Sequence, residues 1–124
     1  MIDRTWARQF AIEWIDAWNA HDLERILSHY ADDFEMRSPL IVERMGIAEG
    51  VLRGKHAVRP YWQWGLDARP RLRFELRDVL VGVNTLAIYY YSTTRNRMVA
   101  EVLTVDANGK VVSGAGLYGD ALPA

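Results

Sequence analysis

The stretch Trp14-Ile15-Asp16-Ala17-Trp18-Asn19-Ala20-His21-Asp22-Leu23 closes one helical pattern and opens another. Upstream, from Asp3 to Ala20, apolar side chains recur at Trp6, Phe10, Trp14, Ile15 and Trp18, the stripe of a helix with one face turned to a core. Arg4, Arg8, Glu13 and Asp16 fall mostly off that stripe. Asn19-Ala20-His21 breaks the period. Asp22 is then placed to cap a second helix over Leu23 to His29, with Leu23, Ile26, Leu27 and Tyr30 on its inner side.

Downstream, Asp32-Asp33 reads as a turn. Phe34 to Ser38 alternates as a short strand, with Phe34, Met36 and Ser38 on one face, and Pro39 ends it. Leu40 to Arg53 mixes apolar residues with Gly46 and Gly50 and reads as a partly ordered loop or short helix, a candidate lid. Gly54 opens a third helix through Val58, Tyr61, Trp62 and Leu66, in which Pro60 predicts a late start or a kink.

The character then changes to strand. Leu72, Phe74 and Leu76 alternate with Arg73, Glu75 and Arg77 up to Val81, and Thr85 to Thr93 is a β-branched and aromatic run. Arg95-Asn96 is the expected hairpin tip before Met98 to Val105. Asp106-Ala107-Asn108-Gly109 is a second turn before Lys110 to Tyr118, and Asp120 to Ala124 is expected to fray. Three helices in the N-terminal half, one early strand and four later antiparallel strands predict an α+β fold with the helices on one sheet face.

Composition narrows the function classes. A length of 124 residues predicts one domain over 1–124 with its own core. A net charge of −1 offers no basic field for nucleic acid or an anionic membrane surface. The absence of cysteine excludes disulfides, thiol catalysis and thiolate metal sites. No apolar run approaches the ~20 residues needed to cross a bilayer, and Met1-Ile2-Asp3-Arg4 does not open a signal peptide, so a cytoplasmic location is expected. His21, His29 and His56 lack metal-ligand spacing, and Gly114-Ala115-Gly116 lies inside a strand rather than opening a helix. Neither a metal nor a cofactor is expected. Five tryptophans and six tyrosines are many for this length, and such side chains favour pockets and interfaces as well as cores.

Trp14 to Leu23, followed by Tyr30-Ala31-Asp32-Asp33-Phe34, resembles the opening of nuclear transport factor 2-like domains. Gly54-Lys55-His56-Ala57-Val58-Arg59, Tyr61-Trp62 and Gly109-Lys110-Val111-Val112 fall where that superfamily has corresponding elements. The superfamily includes ketosteroid isomerases, SnoaL-like polyketide cyclases, dehydratases and many non-catalytic members, so fold alone does not settle function. The resemblance implies a cone-shaped, curved antiparallel β-sheet packed on the three helices and enclosing a pocket. In the isomerase branch, the general base falls on Ser38, the oxyanion-binding tyrosine on Trp14 and the second oxyanion donor on Glu101. A serine hydroxyl cannot take a carbon-bound proton at its ordinary pKa, and an indole cannot titrate. Steroid isomerase chemistry is therefore not expected.

Within that frame the catalytic candidates are Glu101 and Tyr30. The strand parity that turns Glu101 inward also turns Val99 and Leu103 inward, so the carboxyl would sit among apolar neighbours with a raised pKa. Trp14, Trp18, Trp62 and Leu66 are expected on the helical wall of the pocket, and Phe34, Met36 and Ser38 on the early strand. Phe74, Tyr90, Leu103, Gly116 and Tyr118 are expected on the later sheet. Pairing about Arg95-Asn96 would set Tyr90 opposite Glu101 and turn Tyr89 and Tyr91 outward, a face suited to a homodimer. Two functions stay open. One is a cofactor-independent isomerase-, cyclase- or dehydratase-type enzyme using acid–base chemistry on a small hydrophobic molecule. The other is a non-catalytic ligand-binding or dimeric interaction module.

Overall fold

A computed structural model describes residues 1–123. Helix α1 (Arg4–Asn19) begins where the Asp3 carboxylate accepts from the Trp6 backbone N–H at 2.9 Å. It buries Phe10, Trp14, Ile15 and Trp18, with alanines at 7, 11 and 17 that let the helix approach its neighbours. Helix α2 (Leu23–Leu27) is capped by Asp22, which accepts from the Arg25 N–H at 3.1 Å, and it is shorter than its pattern predicts.

Tyr30 starts strand β1 (Tyr30–Arg37) rather than ending α2. Asp32 and Asp33 lie inside that strand, not in a turn, where the ladder to its parallel neighbour shifts register between Tyr30 and Glu35. Two exposed carboxylates are compatible with a strand at such an irregularity, because neither has to face the core.

The segment read as a partly ordered loop or short helix holds two elements, helix α3 (Pro39–Met45) and strand β2 (Val51–Arg53). Ser38 caps α3 by accepting from the Leu40 N–H at 3.1 Å, Pro39 enters at the first turn where no N–H is needed, and Gly46 ends the helix at φ 68°. The backbone returns at Gly50, whose carbonyl accepts from the Ser38 N–H at 3.0 Å. Gly50 has φ 66°, and a Cβ there would stand 3.0 Å from Val42 Cγ2 and 3.2 Å from the Ser38 carbonyl oxygen, so both conformation and space require glycine.

Helix α4 (Lys55–Asp67) starts directly after Gly54, ahead of Pro60, so the expected late start does not occur. Pro60 and His56 both lie on the exposed face, where water can satisfy the carbonyl that proline leaves without a donor. Val58, Tyr61, Trp62 and Leu66 form the buried face of α4.

Four long strands follow: β3 (Phe74–Val81), β4 (Thr85–Ser92), β5 (Arg97–Val105) and β6 (Val111–Tyr118). With β1 and β2 they make a curved six-stranded sheet in the order β2-β1-β6-β5-β4-β3. The architecture is α+β, as expected. One ladder departs from the expected pattern: β1 pairs with β6 in parallel, while the remaining ladders are antiparallel.

The β4–β5 hairpin turns over Thr93–Asn96, so Tyr90 faces Val99 and Glu101 faces Ile88. The expected Tyr90–Glu101 pairing is thus displaced by two residues, an even slip that leaves both side chains on the inner face. The β5–β6 turn uses Gly109 at φ 75°, where a Cβ would lie 3.2 Å from the Trp6 ring. The tail does not simply fray: Leu122 N–H donates to the Asn96 carbonyl at 2.8 Å, and Asn96 Nδ2 donates back to the Leu122 carbonyl at 3.1 Å. Ala124 lies outside the described residues.

Candidate functional site

Helix α1 reaches the far edge of the sheet and is fastened there by Asn19. Its Nδ2 donates to the Phe74 carbonyl at 2.9 Å, and its Oδ1 accepts from the Phe74 N–H at 2.8 Å. Next to it, His21 Nε2 lies 2.9 Å from the Leu72 carbonyl, which ties the turn after α1 to the chain entering β3. These bonds hold the entry to β3 against the end of α1. Between α1, α4 and the inner sheet face this leaves a cavity of about 320 Å³, within the range of small-molecule sites.

Glu101 lies in the wall of that cavity and is 6% exposed. It projects from the inner face of β5 opposite Gly116, and a Cβ on that glycine would stand 3.4 Å from Glu101 Oε1. Burial pushes its carboxyl up to about 8, with the Tyr90 phenol acting in the opposite direction. Glu101 is accordingly a neutral acid at neutral pH. The phenols of Tyr30, Tyr90 and Tyr118 are all driven upward, first by burial and then by the Glu101 charge, so they remain donors throughout the physiological range.

Trp14, Trp18, Trp62, Met36, Phe74, Tyr90 and Tyr118 line the cavity. The aromatic wall is continuous. Trp14 stacks on Phe74 with ring centroids 6.1 Å apart, Trp18 meets Trp62 edge-on at 5.2 Å, and Phe74 meets Tyr90 at 4.4 Å.

Other expected residues stand behind that wall. Tyr30, Phe34, Leu66 and Leu103 are fully enclosed core, and Gly116 is buried without bordering the cavity. Tyr30 is recessed because its hydroxyl accepts from Trp14 Nε1 at 2.9 Å, which turns the phenol toward α1. Ser38 is taken up as the α3 cap, and the Tyr61 hydroxyl donates to its Oγ at 3.5 Å. His29 pairs with Glu13 at 3.1 Å and does not border the cavity.

Several lining residues were not expected. Leu40 and Arg44 come from α3, and Tyr61, Trp64 and Gly65 from α4. Arg69, Pro70 and Leu72 border the cavity from the α4–β3 connection, while Ser92 borders it from the end of β4 and Thr94 and Arg95 from the β4–β5 turn. Four buried polar atoms in the lining side chains, Trp18 Nε1, Ser92 Oγ and the Nε and Nη1 of Arg44, have no hydrogen-bond partner among the described residues. Such atoms cost stability where nothing pairs with them.

No described helix is long and apolar enough to cross a membrane. The model of the SnoaL-like domain family matches residues 11–115. The crystal structure of a SnoaL-like protein of unknown function from Burkholderia thailandensis is 46% identical, over 96% of this chain and 98% of that one, with a TM-score of 0.92. Two more distant structures share the fold alone. An NTF2-like protein of unknown function from Burkholderia xenovorans is 19% identical over 98% of this chain and 89% of its own, with a TM-score of 0.72. A protein from Kribbella flavida, provisionally assigned as a ketosteroid isomerase, is 15% identical over 95% of this chain and 81% of its own, with a TM-score of 0.71. No curated protein matches the chain. With its cone of six strands, its helical cover and a family match over most of its length, the chain belongs to the SnoaL-like domain family, and it shares its fold with nuclear transport factor 2-like proteins.

Proposed function

We propose that this chain takes a small hydrophobic carbonyl compound into its aromatic cavity and acts on it without a cofactor. Glu101 would be the hydrogen-bond and proton donor to the carbonyl oxygen. The observation that carries this reading is a buried carboxyl bordering an aromatic cavity, with no ion-pair partner among the described residues. A carboxyl held neutral by burial can stabilise developing negative charge on oxygen, where an ionised one would repel it. Tyr30 would act through Trp14, fixing the indole that forms the back of the site. The isomerase, cyclase and dehydratase types of reaction all begin with such polarisation.

The capping role of Ser38 favours a second reading, a non-catalytic binding module, because no base stands at that position. The outer sheet face adds a partner to either reading. Tyr89 and Leu117 are exposed there at 39% and 51%, beside Ala87, Ala100, Val102 and Ala115, a surface suited to a second copy of this chain.

The test is proton exchange into 2-acetylnaphthalene in deuterated buffer, with binding followed in parallel by calorimetry. With Glu101 donating to the carbonyl oxygen and solvent water taking the proton from the methyl carbon, the proposed acid predicts exchange accelerated by the wild type and lost in Glu101→Gln. Binding without acceleration would leave the non-catalytic reading in its place.

A further inference from the structure

Four charged side chains border the cavity: Arg44, Arg69, Arg95 and Glu101. The one carboxyl among them is the buried one, so the arginines have no counter-charge inside the site. Arg69 is exposed, and its Nη1 donates to the Asp67 and Ala68 carbonyls at 2.9 and 3.3 Å. Arg44 and Arg95 are in a different position. Neither forms an ion pair with a described residue.

Arg44 Nε and Nη1 are buried without a hydrogen-bond partner among the described residues. Its guanidinium is held over the Trp64 ring, 3.7 Å from the centroid, while Arg95 lies 6.0 Å from the Tyr118 ring centroid. The two cations feel each other: after burial, the charge of Arg95 is the next cause that lowers the Arg44 pKa. Like charges brought together and buried N–H groups left unpaired both cost free energy. An anion between the two guanidinium groups would remove both costs at once. The planar guanidinium fork matches a carboxylate with two parallel N–H···O bonds.

We propose that Arg44 and Arg95 together bind a carboxylate, so that the ligand is a small, flat, hydrophobic acid lying with its apolar body on Trp18, Trp62 and Phe74. This rests on the cavity being a ligand site, as proposed above, and names the chemical class that site takes. The elements divide the work. Arg44 comes from α3 and Arg95 from the β4–β5 turn, while Glu101 is set in the middle of β5. An acid held at the mouth would present its other end to Glu101, Trp18 Nε1 and Ser92 Oγ.

The experiment is calorimetric titration of the full chain at pH 7 with 2-naphthoate and with its uncharged isostere 2-naphthamide. Naphthoate should bind about tenfold or more tightly than naphthamide. Arg44→Gln and Arg95→Gln should each lower naphthoate affinity by about tenfold and leave naphthamide affinity unchanged. Circular dichroism melts confirm that each variant is folded, and Arg44→Lys, which keeps the charge but loses the fork, should recover part of the loss.

Equal affinity for the two ligands, or arginine variants that weaken both alike, would overturn the anion site and leave the pocket intact. No binding of either ligand to folded wild type would overturn both proposals. Glu101→Gln separates them further: it should remove proton exchange yet keep the preference for acid over amide.

Discussion

Trp14 Nε1 donates a 2.9 Å hydrogen bond to the hydroxyl of Tyr30, joining α1 to β1 inside the core with both residues 2% exposed. Removing the acceptor leaves an indole N–H buried and unpaired, at a cost of about 1–3 kcal/mol. Tyr30→Phe should lose that much in urea unfolding. Because Tyr30 stands behind the cavity wall, naphthoate affinity should change by less than about twofold, roughly 0.4 kcal/mol. A larger loss of affinity with unchanged stability would place Tyr30 in the site itself.

Glu101 makes stability depend on pH in a stated direction. Unfolded, the carboxyl titrates near 4.5; folded, near 8. Between these values the folded state keeps a proton that the unfolded state has lost. The stabilisation is therefore whole below the lower value and is lost as pH rises through the higher one. The slope of this contribution approaches about 1.4 kcal/mol per pH unit. Tyr30 of β1, Tyr61 of α4, Tyr90 of β4 and Tyr118 of β6 all have phenols shifted upward and stay neutral across this window. Unfolding free energies measured from pH 5 to pH 9 should fall in wild type and lose this slope in Glu101→Gln.

Asn19 replaces a strand partner for Phe74, making both backbone bonds that a neighbouring strand would make. Asn19→Ala leaves an N–H and a carbonyl without partners in a half-buried place. A loss of about 1–3 kcal/mol in chemical unfolding is expected. Since Leu72 and Phe74 border the cavity next to this clamp, ligand dissociation should also quicken, which stopped-flow fluorescence of the pocket tryptophans would read.

A dimer through the outer sheet face predicts a mass of twice the protomer by light scattering at micromolar concentration. Leu117→Arg puts a charge at the centre of that face and should give a monomer whose cavity still binds. A wild type that runs as a monomer would remove the proposed partner.

The fold was legible wherever alternation and the side-chain environment agreed. Met36, Phe74, Glu101 and Tyr118 all sit on the inner face because a strand has only two sides, and even the two-residue slip at the Thr93–Asn96 turn preserved the choice. What failed to show were contributions from short elements without a period. Helix α3 is only seven residues long, so Arg44 gave no pattern to read, and Arg95 was treated as part of a turn rather than as a wall of the site. Tyr30 and Ser38 were misplaced for a different reason. Their polar atoms were already committed to Trp14 and to the Leu40 N–H, partners that only tertiary structure reveals.

The chain leaves the sheet at Ser38 and re-enters it at Gly50, and the two ends are joined by the hydrogen bond between them. Everything between is therefore a cassette whose base is already closed. Its length can change at a small entropic cost as long as Ile41 keeps its place in the core, since doubling such a loop adds only about 0.6 kcal/mol. Exchange of 39–49 between relatives offers a route to new ligand preferences in which neither β1 nor the strand that carries the buried acid is disturbed.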